Sequence, residues 1–174
     1  VHDEDGGPRD EIDTVAATWR RDGLGEPLIA MLEVGKRAAR IDSLVQQALR
    51  PELAELGLTY AEFEVLTVLR RSGAPYRLRP SELTRSAFLT SGGTSNVLQR
   101  LQKAGHIERT ANAGDARSRF VQLTAEGLRV TELGLAASAR SYEEVMTGVP
   151  PETVRAAADA LREVLLVIGR RRFR

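Results

Sequence analysis

The chain's 174 residues suffice for one domain with extensions, and its 42% hydrophobic content supports a real core, yet no apolar run reaches the length of a membrane-spanning helix. With no Cys there are no disulfides, zinc ribbons or thiol redox chemistry, and two histidines, His2 and His106, cannot build a histidine metal site, so neither metal nor cofactor is expected. The net charge of +1 conceals a polarised chain: residues 1–15 carry six acids against Arg9, whereas residues 70–119 carry ten bases against Glu82, Glu108 and Asp115, a local excess of +7.

Residues 1–9 hold Gly6, Gly7, Pro8 and four charged side chains, too little apolar surface to offset ordering, and are expected to be loose. This stretch is acidic where a secretory signal is basic and then apolar, so the expected location is cytoplasmic. Over residues 10–22, Ile12, Val15, Ala16 and Trp19 follow the i, i+3, i+4, i+7 spacing of a short helix, closed by Gly23, Gly25 and Pro27. Met31, Val34, Ala38, Ile41, Val45 and Ala48 then mark an amphipathic helix over about 28–50, expected to stop at Pro51, which lacks a backbone donor.

The segment AEFEVLTVLRR (61–71) reads as a helix ending at Gly73, Ala74 and Pro75, and Pro80 opens a second, SELTRSA. Thr90, Ser91, Gly92, Gly93, Thr94 and Ser95 mark the break and the cap of a third helix running to Ala104. The period then changes. HIERT (106–110) and FVQLT (120–124) read as short strands joined by a loop rich in Gly, Asn and Asp. Residues 125–147 form another helix, with Gly134 a weak interruption. Pro150 and Pro151 start a last one, whose stripe includes Val154, Leu161, Leu165 and Ile168. The fold class is mainly α with a small β-hairpin wing: a winged helix-turn-helix flanked by N- and C-terminal helices.

This pattern points to DNA. Asn96 and Gln99 of the third helix suit adenine edges, and Arg100 and Lys103 suit phosphate or guanine. Ser91, Thr94 and Ser95 near its N-terminus suit phosphate oxygens, with capping the alternative for Thr90 and Ser91. Arg117 and Arg119, at or beside the hairpin tip, suit a neighbouring minor groove. Asp115 is repelled by phosphate, so its expected role is internal, shaping the wing. No nucleophile motif, phosphate loop or metal cluster is present, and an enzyme is not expected.

The runs LTYAEFEVLTVLRR, PSELTRSAFLTSGGTSNVLQRLQKAGHIER and GDARSRFVQLTAEG resemble the multiple-antibiotic-resistance regulator (MarR) family, whose wing hallmark is matched by Asp115, Arg117, Leu123, Thr124 and Gly127. The resemblance spans roughly residues 28–170. It implies a homodimer joined through its N- and C-terminal helices, a pseudo-palindromic double-stranded DNA operator, and usually repression relieved by a small ligand. The domain spans 28–172, with a DNA-binding lobe over about 58–124 and dimerisation helices over about 28–50 and 125–170. The extra N-terminal helix with Trp19 is similar to the urate-responsive (UrtR-like) branch, which implies a small organic anion held by Trp19, Glu64 and Arg109. Val97 stands where that branch has an Arg, which removes a bidentate donor to such an anion. The leading expectation is a ligand-responsive, homodimeric repressor. The alternative is an architectural DNA-binding protein without ligand response, in which the N-terminal helix only extends the dimer; for the residues themselves, the alternatives are that Trp19 packs in the core and that Glu64 and Arg109 form a structural ion pair.

Overall fold

The computed structural model describes residues 9–86, 91–112 and 115–169, with backbone alone at 91–92, 111–112 and 115–119. Its elements run α1 (Glu11–Arg21), α2 (Glu26–Glu55), α3 (Tyr60–Arg71), β1 (Arg77–Leu78), α4 (Pro80–Ser86), α5 (Ser91–Lys103), β2 (Ile107–Asn112), β3 (Asp115–Leu123), α6 (Ala125–Val145) and α7 (Pro151–Ile168). The antiparallel sheet has the order β1-β3-β2. None of the described helices is long and apolar enough to cross a membrane.

Helix starts follow local chemistry. The Asp10 carboxylate accepts from the N–H groups of Ile12 and Asp13, while Asp13 accepts from the Asp10 N–H, a reciprocal cap on α1. Thr59 and Glu62 build the same device on α3, and the Thr124 hydroxyl caps α6 by accepting from the Gly127 N–H. Helix α1 lies on α2 with Ile12 and Ala16 buried, and its acidic end is tied down by Arg37, which reaches Asp10 and Asp13 at 2.8 Å each, and by Arg40 on Glu11 at 2.8 Å.

Helix α2 does not stop at Pro51; it runs on to Glu55. Leu49 and Leu53 are both buried one turn apart on either side of the ring, and their burial outweighs the single missing backbone bond, whose orphaned acceptor lies on exposed Gln47. The strands also exceed expectation. Register pairing runs from Ile107↔Leu123 to Asn112↔Asp115, beyond the runs 106–110 and 120–124 expected from the sequence. Arg117 and Arg119 therefore belong to a strand rather than a loop, with Arg119 opposite Ala111.

One core joins the C-terminal half of α2 with α3, α4, α5, the sheet and α6. Gly134 serves it through close approach: a Cβ there would stand 2.6 Å from Phe63 Cε2, so its absence lets α3 and α6 meet. Helix α7 is different. Pro151–Ile168 buries no residue within its own chain, and Leu165 is 60% exposed. The first half of α2 likewise turns Met31, Val34 and Ile41 outward.

Candidate nucleic-acid interface

Helix α5 has two faces. Val97, Leu98 and Leu101 are buried against the lobe, and Ser95, Asn96, Gln99, Arg100 and Lys103 are exposed. Asn96, Gln99, Arg100 and Lys103 recur at steps of three and four, so they share one stripe fit for a groove. Thr94 differs from its sequence assignment: at 2% exposure its side chain turns into the lobe rather than presenting a hydroxyl to a phosphate. The side chains of Ser91, Asp115, Arg117 and Arg119, and all of Thr90, lie outside the described residues.

Arg100 is exposed yet anchored. Its Nε lies 3.0 Å from Oε1 of Glu62, whose side chain is only 9% exposed. The other oxygen, Oε2, accepts from the Thr59 N–H and Thr59 Oγ1, both at 2.7 Å. One buried carboxylate thus closes the first turn of α3 and fixes the last turn of α5. The Thr59-x-x-Glu62 capping pattern was the signal in the sequence that could have found it.

The wing joins α5 and α6 at a tight contact. The Thr124 N–H donates to the His106 carbonyl at 3.1 Å, and Thr124 Oγ1 donates to the Gly105 carbonyl at 2.7 Å. A Cβ at Gly127 would sit 1.8 Å from the His106 oxygen, so only glycine lets α6 begin this close to the turn between α5 and β2. At the sheet's other edge, Arg77 and Arg79 stand over the Phe120 ring, their guanidinium carbons 4.9 and 5.9 Å from its centroid. Sequence reasoning missed this pair, because a two-residue strand is too short to show a period.

None of the clefts found among the described residues is lined by all three candidate ligand residues. Trp19 is half-buried on α1, which packs on α2. Glu64 lies beside Tyr60, whose phenol is pushed above its ordinary value first by burial and then by the negative charges of Glu64 and Asp42. Arg109 lines a separate cleft of about 300 Å³ with Pro80, Ser81, Thr84, Thr94, Ser95 and Leu98. No ion pair joins Glu64 to Arg109 among the described residues, which removes the structural pairing expected as an alternative.

Residues 56–118 match the family model described as MarR family. The chain is 32% identical over 117 residues to the HTH-type transcriptional regulator PecS of Dickeya dadantii, covering 67% of this chain and 70% of PecS. It is 39% identical over 87 residues to the HTH-type transcriptional repressor Rv2887 of Mycobacterium tuberculosis, covering 48% of this chain and 60% of that repressor. Its fold matches a MarR variant from E. coli complexed with operator DNA, with a TM-score of 0.69 at 23% identity, over 81% of this chain and 99% of the other. The capped α3, the two-faced α5 and the wing lie largely within the matched residues, and the chain belongs to the MarR family of transcriptional regulators.

Proposed function

We propose that the chain is a homodimeric transcriptional repressor that binds a pseudo-palindromic DNA operator and is released by a small organic anion. The observation that carries the DNA reading is the exposed stripe of Asn96, Gln99, Arg100 and Lys103 on a helix fixed by Glu62 and flanked by a wing. Phosphate contacts set the register, and the stripe reads base edges in the major groove. The strand bearing Arg117 and Arg119 reaches toward the adjacent minor groove. The uncovered apolar residues of α7 and of the first half of α2 supply the surface for a second copy, which sets two recognition helices about 34–36 Å apart, one turn of DNA. The names of the relatives, a regulator and a repressor, agree with this reading, which includes a cytoplasmic location.

Arg109 gives the release step its cation. It has no carboxylate partner among the described residues, and its cleft offers Ser81, Thr84 and Ser95 as polar neighbours beside Leu98 and Pro80. An anion seated there touches α4, α5 and β2 together, so it favours one spacing of the recognition helices over another. A competition gel shift at fixed salt tests both halves, using the DNA flanking the protein's own gene against random DNA, with and without a panel of organic anions including urate. Specific binding released by one anion, and not released in Arg109→Ala, supports the proposal. Equal affinity for all DNA refutes the repressor. A cleft that holds Arg109 without Trp19 or Glu64 favours a second reading, an architectural DNA-binding protein without ligand response, for which no anion weakens binding and sequence preference is modest.

A further inference from the structure

The wing sheet has a second cationic surface, on the face turned away from α5. Strand alternation directs Leu78, Ile107, Val121 and Leu123 into the core, and by register it places Arg77, Phe120 and Gln122 on the opposite face. Arg79, two residues beyond Arg77, joins them over the same ring. Both arginines are exposed, and among the described residues neither has a carboxylate partner. The one carboxylate that register brings to this face, Glu108, stands across β3 opposite Gln122 and pairs with neither.

Two guanidinium groups over one aromatic ring repel each other, and among the described residues no carboxylate pairs with either guanidinium; Glu82 is spent on the Arg79 backbone N–H, which it accepts at 2.7 Å. Stacking also fixes each plane while leaving its N–H edges free, which is the arrangement that meets phosphate oxygens in a bidentate manner. The place of the pair gives the anion its identity. With α5 in a major groove and the hairpin in the next minor groove, the outer face of the wing looks along the duplex, away from the operator's centre.

We propose that Arg77 and Arg79, aligned on Phe120, grip the phosphate backbone of the duplex flanking the wing, lengthening the footprint without reading sequence. This inference rests on the DNA-binding reading above. Removing one phosphate partner should make the slope of log affinity against log salt shallower by about 0.9, so the double variant Arg77→Gln/Arg79→Gln is expected to flatten it by about 2 per subunit. The effect should be equal on a selected operator and on a mixed-sequence duplex of about 40 base pairs. It should vanish when the operator duplex is trimmed where the wing meets it. Arg77→Lys/Arg79→Lys should restore most of the slope, because the charges remain. Circular dichroism melts confirm that the variants fold, and the single variant Arg79→Gln, with half the slope change, serves if the double does not. An unchanged slope and affinity on the long duplex would overturn this proposal alone. A wild-type protein that binds no duplex would remove the DNA reading and this inference with it.

Discussion

Replacing Gly127 by Ala tests the account of how the wing is seated. The added Cβ would lie 1.8 Å from the His106 carbonyl oxygen and 2.8 Å from its carbon. A tolerable carbon–oxygen contact is about 3.3 Å, so α6 or the His106 peptide must retreat by about 1.5 Å. That shift strains three bonds: Thr124 N–H to His106 at 3.1 Å, Thr124 Oγ1 to Gly105 at 2.7 Å, and Gly127 N–H to Thr124 Oγ1 at 2.9 Å. At about 1 kcal/mol net per bond, the loss is about 3 kcal/mol, at the upper end of what overpacking costs. Urea unfolding should show this as a lower midpoint at unchanged slope, and Tm should fall by about 6–12 °C. Gly134→Ala meets the edge of a ring that can turn, 2.6 Å from Phe63 Cε2, so it should cost less, about 1–2 kcal/mol. A Gly127→Ala protein within about 0.5 kcal/mol of the parent, or one more stable than Gly134→Ala, would refute the reasoning.

Leu165→Arg alters a side chain that is 60% exposed in one chain, so the isolated subunit should tolerate it within about 0.5 kcal/mol, while sedimentation equilibrium should show the dimer weakened at least about tenfold. Glu62→Ala removes the reciprocal cap of α3 and the partner of Arg100 together, and urea unfolding should register a loss of about 2–3 kcal/mol. The Asp10 carboxyl is held at about 2 rather than 3.8, chiefly by its hydrogen bond to Arg37, so its hold on α1 is complete above about pH 4 and is lost as pH falls through about 2. The sole Trp, on α1, should report this as a fluorescence change that Asp10→Asn abolishes or moves to higher pH.

Most helices were legible because they bury a stripe at the helical period, α7 because its exposed apolar residues keep that period, and the wing because its strands change the period to two. Pro51 misled because a local rule about one hydrogen bond was outweighed by Leu49 and Leu53, whose burial depends on the whole fold. Polar residues told less. Thr94 and Ser95 are neighbours of the same chemical type, yet one turns into the lobe and the other outward, and only the direction of the helix distinguishes them. Arg100 read as a free cation because its partner lies 38 positions away in the chain. Gly134 looked like an interruption of a helix and Gly127 like one letter of the wing motif; what they accommodate, the Phe63 ring and the His106 carbonyl, is set by tertiary contact.

Helix α7 bears on how altered copies of this chain behave in a mixture. Its apolar stripe is separate from the DNA-contacting lobe, so a chain damaged only at α5 or the wing keeps an intact pairing surface. Under the two-copy arrangement proposed above, such a chain competes for healthy partners as well as an undamaged one does. With equal amounts of each, random pairing leaves about a quarter of the pairs with two sound lobes. A lesion in α7 has the opposite genetics, since a chain that cannot pair leaves the rest untouched. The separation of pairing and reading surfaces therefore divides loss-of-function changes into dominant ones in the lobe and recessive ones in the last helix.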